Sequence, residues 1–322
     1  SKVIEKLVHK QLYQYLNNNK LLYSLQHGFR PSHSTQTTTL HFIDTILNML
    51  DEVKVPFSIF IDLSKAFDTL YHNILLHKLT FYGVRGTSLL WFKSYLSDRT
   101  QYVEFKGNIS SKLSTTVGVP QGSVLGPLLF LVYVNDLCNV SSFFKCLLYA
   151  DDTTLTSTLC VSETNFTSVA FINHELNKVF SWMCCNKLSL NVSKTRYMIF
   201  HSLNKTLDAN LLTGLKINDT PLIHTTEFNF LGTIITSNIC WKSHCLNISK
   251  KLSRIIGILK RLKHTVPIYV LLSIYNSMFV PYLYQSLLLW GHSPYHIPKL
   301  QKRAIRIVFK TKYNAHTDPL LK

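Results

Sequence analysis

Apolar residues recur at three-to-four spacing over residues 3–16, at Ile4, Leu7, Val8, Leu12 and Tyr15, which predicts an amphipathic helix ended by Asn17-Asn18-Asn19. A loop over residues 28–35 leads into a second predicted helix over 37–50. After Pro56, the run Phe57-Ser58-Ile59-Phe60-Ile61 is almost continuously apolar and predicts a buried strand that stops at Asp62. Helical spacing returns at Leu70, Ile74, Leu75 and Leu79, ends near Gly83, and resumes at Leu89, Leu90, Phe92 and Leu96. Residues 101–105, a turn at Lys106-Gly107-Asn108 and a Ser/Thr-rich run to Val117 predict a hairpin. Val119-Pro120-Gln121-Gly122 then breaks the chain before an apolar helix over 124–133. Residues 143–149 and 153–158 predict two strands with Ala150-Asp151-Asp152 at their turn. A helix to about Cys185 follows, then strands near 196–200, 215–217 and 228–231, and from Trp241 onward the pattern is helical only. Strands and helices neither alternate strictly nor segregate, so the expected class is α+β with a terminal helical subdomain.

Composition adds a partner to this outline. The 322 residues carry 34 Lys/Arg against 17 Asp/Glu, a formal charge of +17, while 46% are hydrophobic. That is a packed protein with a polyanionic ligand rather than a disordered basic tail or a small stapled scaffold. Seven scattered cysteines argue against a disulfide framework and for a reducing, intracellular compartment. No stretch reaches the roughly 20 apolar residues of a membrane span. The apolar run at 124–134 is too short, and that at 270–290 is interrupted by Asn276, Pro281 and Gln285. The charge is also unevenly spread. Residues 1–161 are net +3 and residues 162–240 net +1, whereas residues 241–322 hold 14 Lys/Arg against one Asp, a net of +13.

With acids this scarce, three stand out. Asp62 closes one apolar strand, and Asp151-Asp152 occupies a turn between two others, 89 residues further on. If those strands are neighbours in one sheet, three carboxylates crowd a small volume, and such oxygen-rich sites select Mg²⁺. By spacing alone, Asp at a strand end is more often a turn former or helix N-cap, and Asp-Asp is a common turn pair. Cys240, His244 and Cys245 cluster, but no second C-x₂₋₄-C pair accompanies them, which speaks against zinc. Ser32, Ser34 and Thr35 have no partnered His-Asp set, so nucleophilic catalysis is unsupported.

The flanking residues narrow these options. Phe60-Ile61-Asp62-Leu63-Ser64-Lys65-Ala66-Phe67-Asp68, Gly118-Val119-Pro120-Gln121-Gly122-Ser123-Val124-Leu125-Gly126-Pro127 and Tyr149-Ala150-Asp151-Asp152 stand in that order. Together they resemble the reverse transcriptases of non-LTR retrotransposons. Gln26-His27-Gly28-Phe29-Arg30, Asn191-Val192-Ser193-Lys194-Thr195 and Phe228-Asn229-Phe230-Leu231-Gly232 are further matches, and residues 82–99 are similar to the Jockey-related branch. The resemblance implies a right-hand polymerase fold with an antiparallel palm sheet, fingers helices and a helical thumb. It implies fingers at 1–56, palm at 57–68, a fingers/palm insertion at 69–115, palm at 116–235 and thumb at 236–322.

Carried over residue by residue, it implies that Asp62 and Asp151 bind two Mg²⁺ ions, with Asp152 completing the cluster, the Leu63 carbonyl assisting and Mn²⁺ able to substitute. The expected reaction is attack of a DNA primer 3′-hydroxyl on a deoxynucleoside triphosphate, directed by an RNA template. Phe67 then sits against the sugar and excludes a 2′-hydroxyl, Gln121 and Gly122 contact the nucleotide, and Lys194 assists the leaving pyrophosphate. A core Phe and a solvated Lys are the plain rivals for Phe67 and Lys194. Phe230-Leu231-Gly232 corresponds to the primer grip. Arg30 belongs to the surface facing the template, with helix capping as its rival. In the thumb, Lys250, Lys251, Arg254, Lys260, Arg261 and Lys263 on one segment, with Lys302, Arg303, Arg306 and Lys310 on another, would hold the duplex by its phosphates.

Two departures touch no implied metal ligand: Tyr71 stands where relatives usually have an acid, as do Ser237 and Asn238. The chain opens at Ser1 without an initiator Met. The resemblance places an Arg-Pro-Ile-Ser-type block and an endonuclease domain elsewhere in a longer polyprotein, and the complete element in cytoplasm and nucleus. The rival function is an inactive nucleic-acid-binding remnant or fragment of a retroelement polyprotein, which the intact Asp62, Asp151 and Asp152 disfavour and the expected loss of the block before Ser1 favours. An RNA-copying RNA polymerase is disfavoured by Phe67 and by Tyr149-Ala150.

Overall fold

The structure, a computed structural model, describes residues 2–120, 122–159, 161–162, 165–166, 168–202, 211–292, 295 and 297–317. The chain packs as two compact units, one of residues 1–34, 49–199 and 207–225, the other of residues 35–48, 200–206 and 226–322.

The first unit is built on a five-stranded sheet. Strand β1 (Val55–Ile61) lies at its centre, because its apolar run leaves Pro56 through Ile61 buried and suits a strand covered on both faces. The short β2 (Leu63–Ser64) follows after Asp62. Strands β3 (Lys145–Tyr149) and β4 (Asp152–Leu159) form a hairpin, with β4 antiparallel to β1. The expected turn therefore contracts to Ala150-Asp151, and Asp152 is the first residue of a strand. Beyond β5 (Ser189–Leu190), which pairs with β2, strand β6 (Arg196–Ile199) flanks β1 on its other side. The two-residue β7 (Ile223–His224) adds a parallel edge.

Helices α1 (Lys2–Asn18), α3 (His72–Phe81), α4 (Gly86–Leu96), α5 (Gly126–Val134) and α6 (Val169–Cys185) complete this unit. Phe57, Ile59 and Ile61 of β1 share one apolar cluster with Leu128, Leu129 and Val132 of α5 and Ile172, Leu176 and Met183 of α6. The opposite pleat carries Ser58, Thr154 and Thr156, whose hydroxyls are satisfied in part by a Ser58–Thr156 bond of 2.9 Å. In α1 the predicted face is buried at Leu12, with Leu16 beside it, while Ile4, Leu7 and Tyr15 stay exposed. What anchors its first half is polar, since the Glu5 carboxylate accepts the Val124 N–H at 2.8 Å. The expected hairpin after α4 is two nested ladders, Thr100–Gln101 with Leu113–Ser114 and Glu104–Phe105 with Asn108–Ile109.

The second unit joins residues 35–48 of α2 (Thr35–Asp51) to the C-terminal elements. Phe42 of α2 packs on Phe230 and Phe200, with ring centroids 4.9 and 5.9 Å apart. Strand β8 (Glu227–Phe230) turns through Leu231-Gly232 into β9 (Thr233–Thr236), a strand that the sequence pattern did not separate. Both turn residues have positive φ, 48° and 86°, the two-residue geometry that suits the twist of a hairpin. Helix α7 (Lys242–Leu262) buries Ile248, Leu252, Ile255, Ile256 and Leu259 on one stripe and turns Lys250, Arg254, Lys260 and Arg261 outward. It packs against α8 (Ile297–Val308), whose Lys302 and Arg303 are likewise exposed. Residues 275–279 form a π turn just before Pro281, where the missing N–H loosens the helical ladder.

His244 of α7 is buried, and its Nδ1 accepts the Ile234 N–H of β9 at 3.2 Å. Burial first, and the Lys251 charge second, push its imidazole down to about 4. The unfolded imidazole, near 6.5, takes up a proton that the folded one refuses, so stability is lost as pH falls through 6.5 and towards 4. The expected loss in this unit is about 3 kcal/mol by pH 4. Urea unfolding at pH 7 and pH 4.5 checks it, and in His244→Gln the difference between the two should shrink.

Candidate active site

Sheet register brings the first two acids of the site together. Ile61 pairs with Thr153 in the β1–β4 ladder, so Asp62 and Asp152 are the next residues on adjacent strands. Asp151 precedes Asp152 at the tip of the β3–β4 hairpin, where Ala150 adopts a positive φ of 56°. Burial first, then the charges of Asp151 and Asp62, push the Asp152 carboxyl up to about 6. Asp152 keeps part of its surface open to solvent, so protein crowds it from one side only, and the neighbouring charges are the part that a cation would reverse.

A second strand pair delivers Lys194. Strands β2 and β5 join Leu63 to Leu190, and the Asn191 N–H donates to the Asp62 carbonyl at 2.9 Å. The turn over 191–195 then sets the Lys194 ammonium 4.0 Å from the Asp62 carboxylate, with both side chains substantially exposed. An exposed pair at that distance contributes a few tenths of a kcal/mol at most, so stability does not explain its placement.

Phe67 is half-buried and stacks on the fully buried Phe130, with centroids 4.5 Å apart and planes at 30°. Phe29 meets the same ring edge-on at 5.9 Å. A groove beside this segment is lined by Lys65, Asp68, Arg99 and residues 114–120. Sequence reasoning missed Lys65 and Arg99, although both carry charge within or beside the matched blocks. Gly122 has φ 76° with open space around it, so backbone conformation rather than room selects glycine there. Gln121 lies outside the described residues.

Sequence reasoning also left Gln26 without a role. Its side-chain oxygen accepts the Gly28 N–H at 2.9 Å and the Ala150 N–H at 3.3 Å. Segment 25–27 bonds to β3 through Leu148 N–H to Leu25 O and His27 N–H to Leu148 O. Gly28 approaches so closely that a Cβ there would lie 2.1 Å from the Ala150 nitrogen. Arg30 turns Nη1 inward to the carbonyls of Tyr23 and Gln26, at 3.0 and 3.3 Å, and so staples this loop.

The remaining positions named from sequence belong to the second unit. Phe230 is buried, and Leu231-Gly232 forms the β8–β9 turn, beside which Thr233 bonds to Ser286 at 2.5 Å. Lys251 lies 5.0 Å over the Tyr282 ring, and Lys263 is half-buried. Arg306 and Lys310 are drawn to the Ala315 and Val266 carbonyls. The exposed Lys250, Arg254, Lys260, Arg261, Lys302 and Arg303 form no ion pair among the described residues.

Among the described residues, no three acidic, His or Cys side chains close into a ready-made metal cage. The donor chemistry nevertheless suits a hard divalent cation: the ligands are oxygen only, and the charges of Asp151 and Asp62 disfavour ionisation of Asp152.

The family model for reverse transcriptase (RNA-dependent DNA polymerase) matches residues 1–235. The chain belongs to the reverse transcriptase family. It is 28% identical to the probable RNA-directed DNA polymerase from transposon BS of Drosophila melanogaster, over 97% of its own length and 35% of the relative's. It is 25% identical to the RNA-directed DNA polymerase from mobile element jockey of the same organism, over 90% of its length and 32% of the relative's. It thus spans about a third of these curated relatives. Apo telomerase from Candida tropicalis is similar in fold, with a TM-score of 0.54 at 13% identity, covering 94% of this chain and 54% of that one. The fold is the right-hand polymerase type of the α+β class, and the family generally uses divalent metal ions. No helix among the described residues is long and apolar enough to cross a membrane.

Proposed function

We propose that this reverse transcriptase chain extends a DNA primer on an RNA template, as the copying step of a non-LTR retrotransposon related to jockey. The observation that carries the reading is the register placing Asp62 beside Asp152, with Asp151 at the adjoining tip and Lys194 at 4.0 Å. Asp62, Asp151 and Asp152, with the Leu63 carbonyl, would hold two Mg²⁺ ions, for which Mn²⁺ can substitute. Bound there, such ions activate an attacking hydroxyl and stabilise charge on a phosphoryl group.

The chain's own residues do the rest. Phe67, held flat by Phe130, presents a wall against the sugar and selects deoxynucleotides. Lys194 faces the departing pyrophosphate as a positive charge or proton donor, and Gln121 and Gly122 border the nucleotide. Arg30 acts indirectly on the template side, by fixing its loop. In the fingers–palm–thumb division, residues 1–56 and 69–115 serve as fingers, 57–68 and 116–235 as palm and 236–322 as thumb. Phe230, Leu231 and Gly232 grip the primer end. An endonuclease domain in the full polyprotein, and work in both cytoplasm and nucleus, belong to the same reading.

Primer extension on an RNA template with Mg²⁺ and deoxynucleotides tests it. DNA product is expected, and product that persists undiminished in Asp151→Asn would sink the assignment. The unpaired cations of α7 give a second expectation. Replacing Lys250, Arg254 and Lys260 by Gln should weaken duplex binding and flatten the slope of log K against log salt by about 2–3. Filter binding across a salt series checks this, and an unchanged slope would place the duplex elsewhere.

A further inference from the structure

Phe29 spends backbone strain to stay on the surface. Its φ is 54°, in the left-handed region that bulky residues avoid, and its ring remains 49% exposed, so core packing does not account for it. Its ring meets that of Phe67, at 5.9 Å between centroids and 84° between planes. Phe67 is thus held on two sides, by the fully buried Phe130 beneath one face and by the edge-on Phe29.

The segment that carries Phe29 is fixed independently of that contact. Gln26 bonds both Gly28 N–H and Ala150 N–H, and His27 N–H bonds the Leu148 carbonyl at 2.8 Å. Arg30, on the other side of Phe29, is tied to the Tyr23 and Gln26 carbonyls. The prop and the hairpin bearing Asp151 and Asp152 therefore share one set of bonds.

We propose that Phe29 is a positioning residue for nucleotide selection: its ring sets the orientation of Phe67 and thereby the sharpness with which a ribose is refused. The proposal rests on the reading of Phe67 as the sugar wall. Phe130 covers one face of the Phe67 ring, and Phe29 meets it edge-on, so the two together fix the ring's tilt in the partly buried position it occupies against the apolar cluster. An edge-on neighbour does so while costing the site no polar group.

The test compares kcat/KM for a deoxynucleotide and its ribonucleotide counterpart in primer extension. Phe29→Gly removes the ring and relaxes the backbone, Phe29→Tyr keeps both ring and contact, and Phe67→Ala and the Phe29→Gly/Phe67→Ala double variant complete a cycle. Phe29→Gly is expected to lower the deoxy-over-ribo preference about tenfold, mainly by improving ribonucleotide use, and Phe67→Ala to lower it about a hundredfold. Phe29→Tyr should retain the preference, and the double variant should match Phe67→Ala. If Phe67→Ala shifts the preference and Phe29→Gly does not, the positioning role is wrong and the sugar wall stands. An equal loss for both nucleotides in Phe29→Gly makes the residue merely structural and overturns the role. A loss added in full on top of Phe67→Ala means that Phe29 meets the nucleotide itself, which also overturns it. An unchanged preference in Phe67→Ala removes the sugar wall and this inference with it. Should Phe29→Gly melt early, Phe29→Leu is measured in the same cycle with the same expected direction.

Discussion

Asp62→Asn should reduce primer extension about a thousandfold or more while leaving the protein folded. The substitution keeps shape and removes the negative charge at the end of β1. The strand does not depend on that charge, because the bond holding this point is made by the Asp62 backbone carbonyl with Asn191 N–H. Lys194 loses only an exposed partner at 4.0 Å, worth a few tenths of a kcal/mol. The melting midpoint should therefore move by about 2 °C or less. Millimolar Mg²⁺ should raise the midpoint of the unaltered protein, because a ligand bound to the native state alone stabilises it by mass action, and the rise should be smaller in Asp62→Asn. Paired melting curves and single-turnover extension check both halves. Substantial activity in the variant would remove Asp62 from the chemistry, and a collapsed melting curve would make it structural.

Lys78→Ala should cost about 3 kcal/mol of stability. Lys78 is buried in α3, where its ammonium bonds the Tyr133 carbonyl at 2.6 Å and the Asp136 carboxylate at 2.5 Å. It also sits 4.7 Å over the Trp182 ring, whose Nε1 donates to the other Asp136 oxygen at 3.3 Å. Burial pulls the Lys78 pKa down and Asp136 opposes it, so the ion pair holds a desolvated charge in place. Removing the side chain strands the Tyr133 carbonyl and leaves a void between α3, α5 and α6. Asp136 retains partial access to water, which caps the penalty below that of a fully enclosed pair. Lys78→Met keeps the stem's packing and should cost about half as much. Urea unfolding followed by far-ultraviolet circular dichroism separates the two, and equal losses would show that charge rather than packing dominates.

Periodicity made most elements legible because burial and pattern coincide in them, as in β1 and α7. It failed where something other than an apolar face holds the element. The first turns of α1 are anchored by Glu5 to a residue 119 positions away, a contact with no local trace. Strand β9 was hidden because Leu231 reads as strand rather than as a turn residue at φ 48°. A two-residue Leu-Gly step between apolar alternations was the available signal. At the site, residue types and order marked the acids, but their meeting depends on strand register, which a single sequence does not print. Gln26 and Phe29 lay inside a matched block, yet their parts are set by contacts with Ala150 and Phe67, 124 and 38 positions away.

The bonds from segment 25–27 to β3 also bear on solubility. β3 is an end strand of the five-stranded sheet, and a bare end strand invites another chain to pair with it. Leu148 spends both its N–H and its C=O on Leu25 and His27, so that end is already occupied by the chain itself. The opposite end is β7, two residues long and too short to template a partner. The β3 margin is thus paired from within at Leu148, and a fragment beginning after residue 30 would expose it and tend to self-associate.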